Sequence, residues 1–171
     1  MSITDSLVDL SLVASSGGLT IGDLPAEVPG VRMELIDGSL IVTSLGDVGH
    51  QLLITRFCRE LAPPAGLEVL AGVNVIVGDR TLLIPDVAVI DPLQLAGNGL
   101  GVTPAGLHLV VEVTSPSTRV HDLTTKRELY RQWNVPSVIV DRKAGLPVAV
   151  SVEGQLPEWA KVLLPPRDGP G

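Results

Sequence analysis

Cysteine, aromatic side chains and positive charge are all scarce in this 171-residue chain, and each shortage excludes something. The single cysteine, Cys58, cannot form an intrachain disulfide, and no Cys/His group has the spacing of a zinc site, so a reducing cytoplasm is the simplest setting. Only four residues are aromatic, too few for the stacking platform of a sugar-cleaving enzyme built on paired carboxylates. With 12 basic residues against 19 acidic ones the formal charge is −7. Such a chain is not drawn to phosphate backbones in general, so a nucleic-acid partner must be met by a local basic patch or by bound cations. No apolar run approaches the roughly 18 residues that span a bilayer. Asp5 and Asp9 interrupt the amino-terminal stretch where a signal peptide would be basic and then apolar, so a soluble, unexported protein with no membrane partner is expected.

What the chain does have is apolar mass. A hydrophobic content of 45% is enough for one sizeable core in one domain. Residues 1–30 read as a partly irregular lead-in, residues 31–153 as the folded domain, and residues 154–171, with Pro165-Pro166 and Gly169-Pro-Gly171, as a flexible tail.

Within the domain, Met33 to Val42 reads as a β-hairpin, because Asp37-Gly38 supplies the positive φ angles of a two-residue turn. By strand periodicity Glu34 falls on its exposed face. From His50 to Leu61 the apolar residues Leu53, Ile54, Phe57, Cys58 and Leu61 recur at helical spacing, and Pro63-Pro64 ends the run. Leu67 to Val77 and Thr81 to Asp91 read as two long strands joined at Gly78-Asp79-Arg80. Leu95 to Gly106 reads as a Gly-rich loop, whose Gly97-Asn-Gly-Leu-Gly101 lacks the lysine and following helix of a phosphate loop. A strand over Leu107 to Val113 precedes a helix from Asp122, its expected N-cap, to Trp133, and Ser137–Val140 and Val148–Val152 form a last strand pair around Gly145-Leu-Pro147. These elements predict a mixed α/β domain around a central sheet.

Two carboxylates stand where a core does not normally accept them. Asp86 interrupts the apolar run of Thr81 to Ile90, and Glu112 that of Leu107 to Val113. A buried ionised carboxylate costs several kcal/mol unless a cation or a set of hydrogen-bond donors compensates it. Lys126 shares a helix face with Leu129, Tyr130 and Trp133 and so points inward. If the two strands are neighbours, their carboxylates converge near one sheet edge. Clustered hard oxygens suit Mg²⁺ or Mn²⁺, and an inward lysine can act on a metal-bound water or on a phosphate oxygen. Arg119, Lys126, Arg127, Arg131, Arg142 and Lys143 supply a basic patch in the same part of the chain, readable equally as a solvated face.

The ordered strings Glu34-Leu-Ile-Asp-Gly38, His50, Pro85-Asp-Val-Ala-Val89, Val111-Glu-Val-Thr-Ser-Pro-Ser-Thr118, Asp122, Lys126 and Tyr130 resemble the Uma-two-type endonucleases, within the PD-(D/E)XK or restriction-endonuclease-like superfamily. That resemblance implies a restriction-endonuclease-like core, in which helices flank a mixed sheet, a divalent Mg²⁺ or Mn²⁺ cofactor, and hydrolysis of DNA phosphodiester bonds. It casts Asp86 and Glu112 as metal ligands together with the Val113 backbone carbonyl, Lys126 as the catalytic lysine, and Glu34 and His50 as auxiliary residues. The superfamily lysine would stand two residues after Glu112, where this chain has Thr114; the resemblance moves that role to Lys126. A homodimer is plausible for an enzyme that cuts both strands of a duplex. The competing reading is a catalytically silent scaffold or self-associating module whose carboxylates serve hydrogen bonding or simple metal binding.

Overall fold

The computed structural model of the protein describes residues 18–25, 28–114, 122–143 and 146–164. The first hairpin joins β1 (Val31–Ile36) to β2 (Ser39–Ser44), with Ile36 opposite Ser39. Asp37 and Gly38 turn it with φ of 50° and 81°, as a two-residue turn requires. Helix α1 (Val48–Glu60) starts two residues earlier than its apolar pattern suggests, because Asp47 caps it by accepting the His50 amide at 2.9 Å.

The two long runs that follow are each broken in the middle, giving β3 (Glu68–Ala71), β4 (Val75–Val77), β5 (Thr81–Leu83) and β6 (Val87–Ile90). They still pair in one continuous register, Glu68 opposite Ile90 and Val77 opposite Thr81. The hairpin bends where Gly72 takes φ of 65° and where Pro85 can donate no ladder hydrogen bond, so its base and its tip enter different sheets. The stretch from Leu95 to Gly106 is more than a loop: it holds the short strands β7 (Leu95–Ala96) and β8 (Gly101–Val102). Next come β9 (Leu107–Val113), a π-helical turn over Asp122–Lys126, α2 (Arg127–Gln132), β10 (Ser137–Lys143) and β11 (Leu146–Glu153). Asn134, at φ 56°, takes the chain out of α2 in the left-handed conformation that asparagine tolerates. The expected capping side chain of Asp122, the segment around Ser115-Pro-Ser-Thr118, the Gly145 turn and the proline-rich end at Pro165-Pro166 lie outside the described residues.

The mixed architecture has two sheets, not one. A six-stranded sheet runs β2-β1-β5-β4-β8-β7 and a five-stranded sheet runs β11-β10-β9-β6-β3, each with one parallel pair among antiparallel ones. Helix α1 covers one face of the five-stranded sheet, where Leu53, Ile54 and Phe57 meet Val87, Val89, Val111, Val113, Val138 and Val140. On the other face Tyr130 of α2 packs with Ala88, Ile90 and Val110, and with Val75, Leu83 and Val102. Complete burial of each such valine contributes about 1.5–3 kcal/mol, and their β-branched side chains suit a pleated surface. Residues after Glu153 are not simply a tail: a 3-10 turn over Glu158–Leu163 buries Ala160 and Leu163 in the α1-side core. Among the described residues no helix is long and apolar enough to cross a membrane.

Candidate active site

The bend at Ile84-Pro85-Asp86 and the end of β9 lie side by side, because Val87 pairs with Val111 and the next step of that register sets Asp86 beside Glu112. The carboxylates face different partners. Asp86 Oδ1 accepts Arg32 Nη1 at 2.8 Å, while Oδ2 accepts the Val113 amide at 2.8 Å and lies 3.1 Å from His50 Nε2. Burial pushes the Asp86 carboxyl up, but the hydrogen bond and charge of His50, the Arg32 guanidinium and the Val113 amide outweigh it and hold the group below the usual carboxylate range. For Arg32 burial lowers the pKa, and the neighbouring Asp86, Glu112 and Glu34 charges more than restore it, so it stays charged.

His50 Nε2 also lies 3.0 Å from the Val113 carbonyl oxygen. Facing two acceptors, Nε2 carries the ring hydrogen in either protonation state. Nδ1 on the opposite edge is buried without a hydrogen-bond partner, packed so tightly on Gly46 that a Cβ there would stand 2.2 Å from it.

Glu112 has a different set of partners. Its Oε1 accepts the Tyr130 hydroxyl at 2.7 Å and lies 3.3 Å from Lys126 Nζ, which is also 3.0 Å from Glu34 Oε1. Glu34 Oε1 in turn accepts the Ile84 amide at 2.6 Å, tying β1 to the bend. Glu34, read from periodicity as exposed, is in fact 2% exposed, because the Lys126 side chain and the Ile84 backbone lie against its carboxylate. Thus His50 and Asp86 form one buried cluster with Arg32, and Glu34, Glu112 and Lys126 form a second, the two joined through Ile84, whose carbonyl accepts Arg32 and whose amide donates to Glu34. Arg32 is the member that sequence reasoning missed. An arginine alternating with apolar residues in a first strand reads as solvated, and its one signal was its place two residues before Glu34 on the same strand face. Tyr130, read on the inward face of its helix and among the residues of the family resemblance, was given no part in the site.

The oxygens of Asp86 and Glu112 and the Val113 carbonyl are of the kind a hard divalent cation takes. They already accept protein donors, and among the described residues no three His, Cys, Asp or Glu side chains form a ready cation-binding cluster. The basic patch read from sequence is not a free positive surface. Arg127 pairs with Glu153, Arg131 with Glu128, and Arg142 with Asp47, while Lys126 is interior; Arg119 and the Lys143 side chain lie outside the described residues.

Two mixed sheets, with helices on both faces of one and charged side chains meeting at the bend between them, define a restriction-endonuclease-like α/β fold. The same fold occurs in a crystal structure of "a putative nuclease belonging to DUF820" from Anabaena variabilis ATCC 29413, at a TM-score of 0.58 and 15% identity over 84% of this chain and 92% of that one. The family Uma2, described as "Putative restriction endonuclease", matches residues 21–162, and the chain belongs to that family. No curated protein matches it.

Proposed function

We propose that this protein is a DNA endonuclease that hydrolyses phosphodiester bonds with Mg²⁺ or Mn²⁺ held by Asp86, Glu112 and the Val113 carbonyl. The observation that supports this reading is buried Glu112 against buried Lys126, with buried Asp86 beside Glu112 on the neighbouring strand, in a chain of the Uma2 family. A divalent cation bound there would lower the pKa of a water and polarise a phosphate oxygen. The chain's own residues do the rest. Tyr130 fixes the Glu112 carboxylate, Glu34 steers Lys126 Nζ toward it, and Lys126 stabilises the charge that grows on the phosphate oxygen as the bond to the leaving group breaks. His50 holds Asp86 and the Val113 carbonyl together through Nε2–H. A silent scaffold is the second reading, favoured by the fact that every one of these carboxylates already has a protein donor.

The test is incubation of the full chain with supercoiled and linear DNA, with and without Mg²⁺ or Mn²⁺, beside an Asp86→Ala variant shown by circular dichroism to be folded. Cleavage that needs the cation and disappears in the variant is expected. Absence of cleavage across metals and salts would transfer the fold to the scaffold reading.

A further inference from the structure

The site's buried charges do not balance a divalent cation as they stand. Among the described residues, three carboxylates at the site, Glu34, Asp86 and Glu112, face two cations, Arg32 and Lys126, which leaves one negative charge when His50 is neutral. A divalent ion added to that set makes it net positive. It makes the set neutral only if one cation's charge departs. An uncompensated charge in such an interior is costly in either direction.

Lys126 cannot be the one to leave, since it is 2% exposed and held between Glu34 and Glu112. Arg32 can. Its side chain is 21% exposed, against 3% for Asp86, which makes it the most accessible part of the network. Its bonds, to Asp86 Oδ1 at 2.8 Å and to the Ile84 carbonyl at 3.1 Å, both run through Nη1. Arg142 shows what an arginine looks like when built to stay: three of its nitrogens bind Thr114 O and both Asp47 oxygens. Arg32, anchored at one nitrogen, swings away by breaking two hydrogen bonds.

We propose that Arg32 is the site's internal counter-ion, holding Asp86 when no divalent cation is present and giving it up when one enters, so that Arg32 opposes and gates metal binding. This rests on the metal site proposed above. It assigns to Arg32 a gating role and not a catalytic one.

Mn²⁺ binding to the full chain, measured by calorimetry and by the metal-induced rise in melting temperature, tests it in wild type and in Arg32→Gln. Arg32→Gln is expected to melt lower without metal, to bind Mn²⁺ about tenfold more tightly or better, the equivalent of about 1.4 kcal/mol, and to show a larger metal-induced rise. A merely structural role would lower the melting temperature without tightening Mn²⁺. If Arg32→Gln does not fold, Arg32→Lys, whose shorter stem loses the Asp86 bond, is expected to show a smaller tightening. Wild type that binds Mn²⁺ with the folded variant binding equally or more weakly overturns the gate and leaves the metal site intact. Failure of both proteins to bind overturns the two together, and binding by the variant alone is the strongest support.

Discussion

Replacing Lys126 by Met keeps an unbranched side chain of similar length and removes one charge. The ammonium is 2% exposed, 3.0 Å from Glu34 and 3.3 Å from Glu112, so its loss takes the paired cation from two carboxylates that are themselves 2% and 1% exposed. Breaking a buried pair from one side costs about 3–5 kcal/mol, and the Tyr130 hydroxyl and the Ile84 amide, which also donate to these carboxylates, carry no positive charge. Against a total stability of about 5–15 kcal/mol, that is a large share of the fold. At about 2–4 °C per kcal/mol for a chain of this size, the melting temperature falls by roughly 6–20 °C. Urea denaturation at neutral pH measures the loss directly. Adding Glu34→Gln to the Lys126→Met background should return part of the stability. A loss below about 1 kcal/mol at neutral pH would refute the view that this lysine neutralises buried carboxylates. A cleavage defect in any Lys126 variant is therefore interpretable only well below that variant's own melting temperature.

Gly46→Ala should push the His50 ring off Asp86, because the new Cβ would lie 2.2 Å from Nδ1 and 2.5 Å from Cγ. A loss of about 1–3 kcal/mol and shifted His50 ring resonances are expected, and unchanged resonances would show that the α1 amino terminus yields instead. Asp86, held below its ordinary value of 3.8, contributes stability that is fully present above that value and is lost as pH falls through its lower folded value. Denaturation followed from about pH 6 down to about pH 2 should thus show an acid-side decline that is shallower in Asp86→Asn; parallel curves would remove Asp86 from the linkage.

Local chemistry made some of this fold readable. Asp37-Gly38 announced the first turn, and the inward face of Lys126 followed from its spacing to Leu129, Tyr130 and Trp133. The pairing of Leu67–Val77 with Thr81–Asp91 was equally legible, but the bend at Gly72 and Pro85 was not. An apolar run looks the same whether it stays in one sheet or crosses to another, and only tertiary packing decides. The buried carboxylates stood out because an acidic residue inside an apolar strand needs a partner. Which partners they have did not, since Arg32 and Glu34 lie about fifty residues from Ile84 and Asp86, and a strand arginine alone reads as surface. The core role of the 3-10 turn after Glu153 was hidden by the proline- and glycine-rich composition around it.

The bend between the sheets has one further effect. Where the ladder is interrupted, the Ile84 and Val113 amides donate to carboxylates, Glu34 Oε1 at 2.6 Å and Asp86 Oδ2 at 2.8 Å, and not to a neighbouring strand. Hydrogen exchange at those two positions is governed by side chains that a bound cation, a proton or a substitution can recruit. Two backbone amides within the fold thereby report the electrical state of the site, while the ladder amides of β6 and β9 report only whether the sheet is intact.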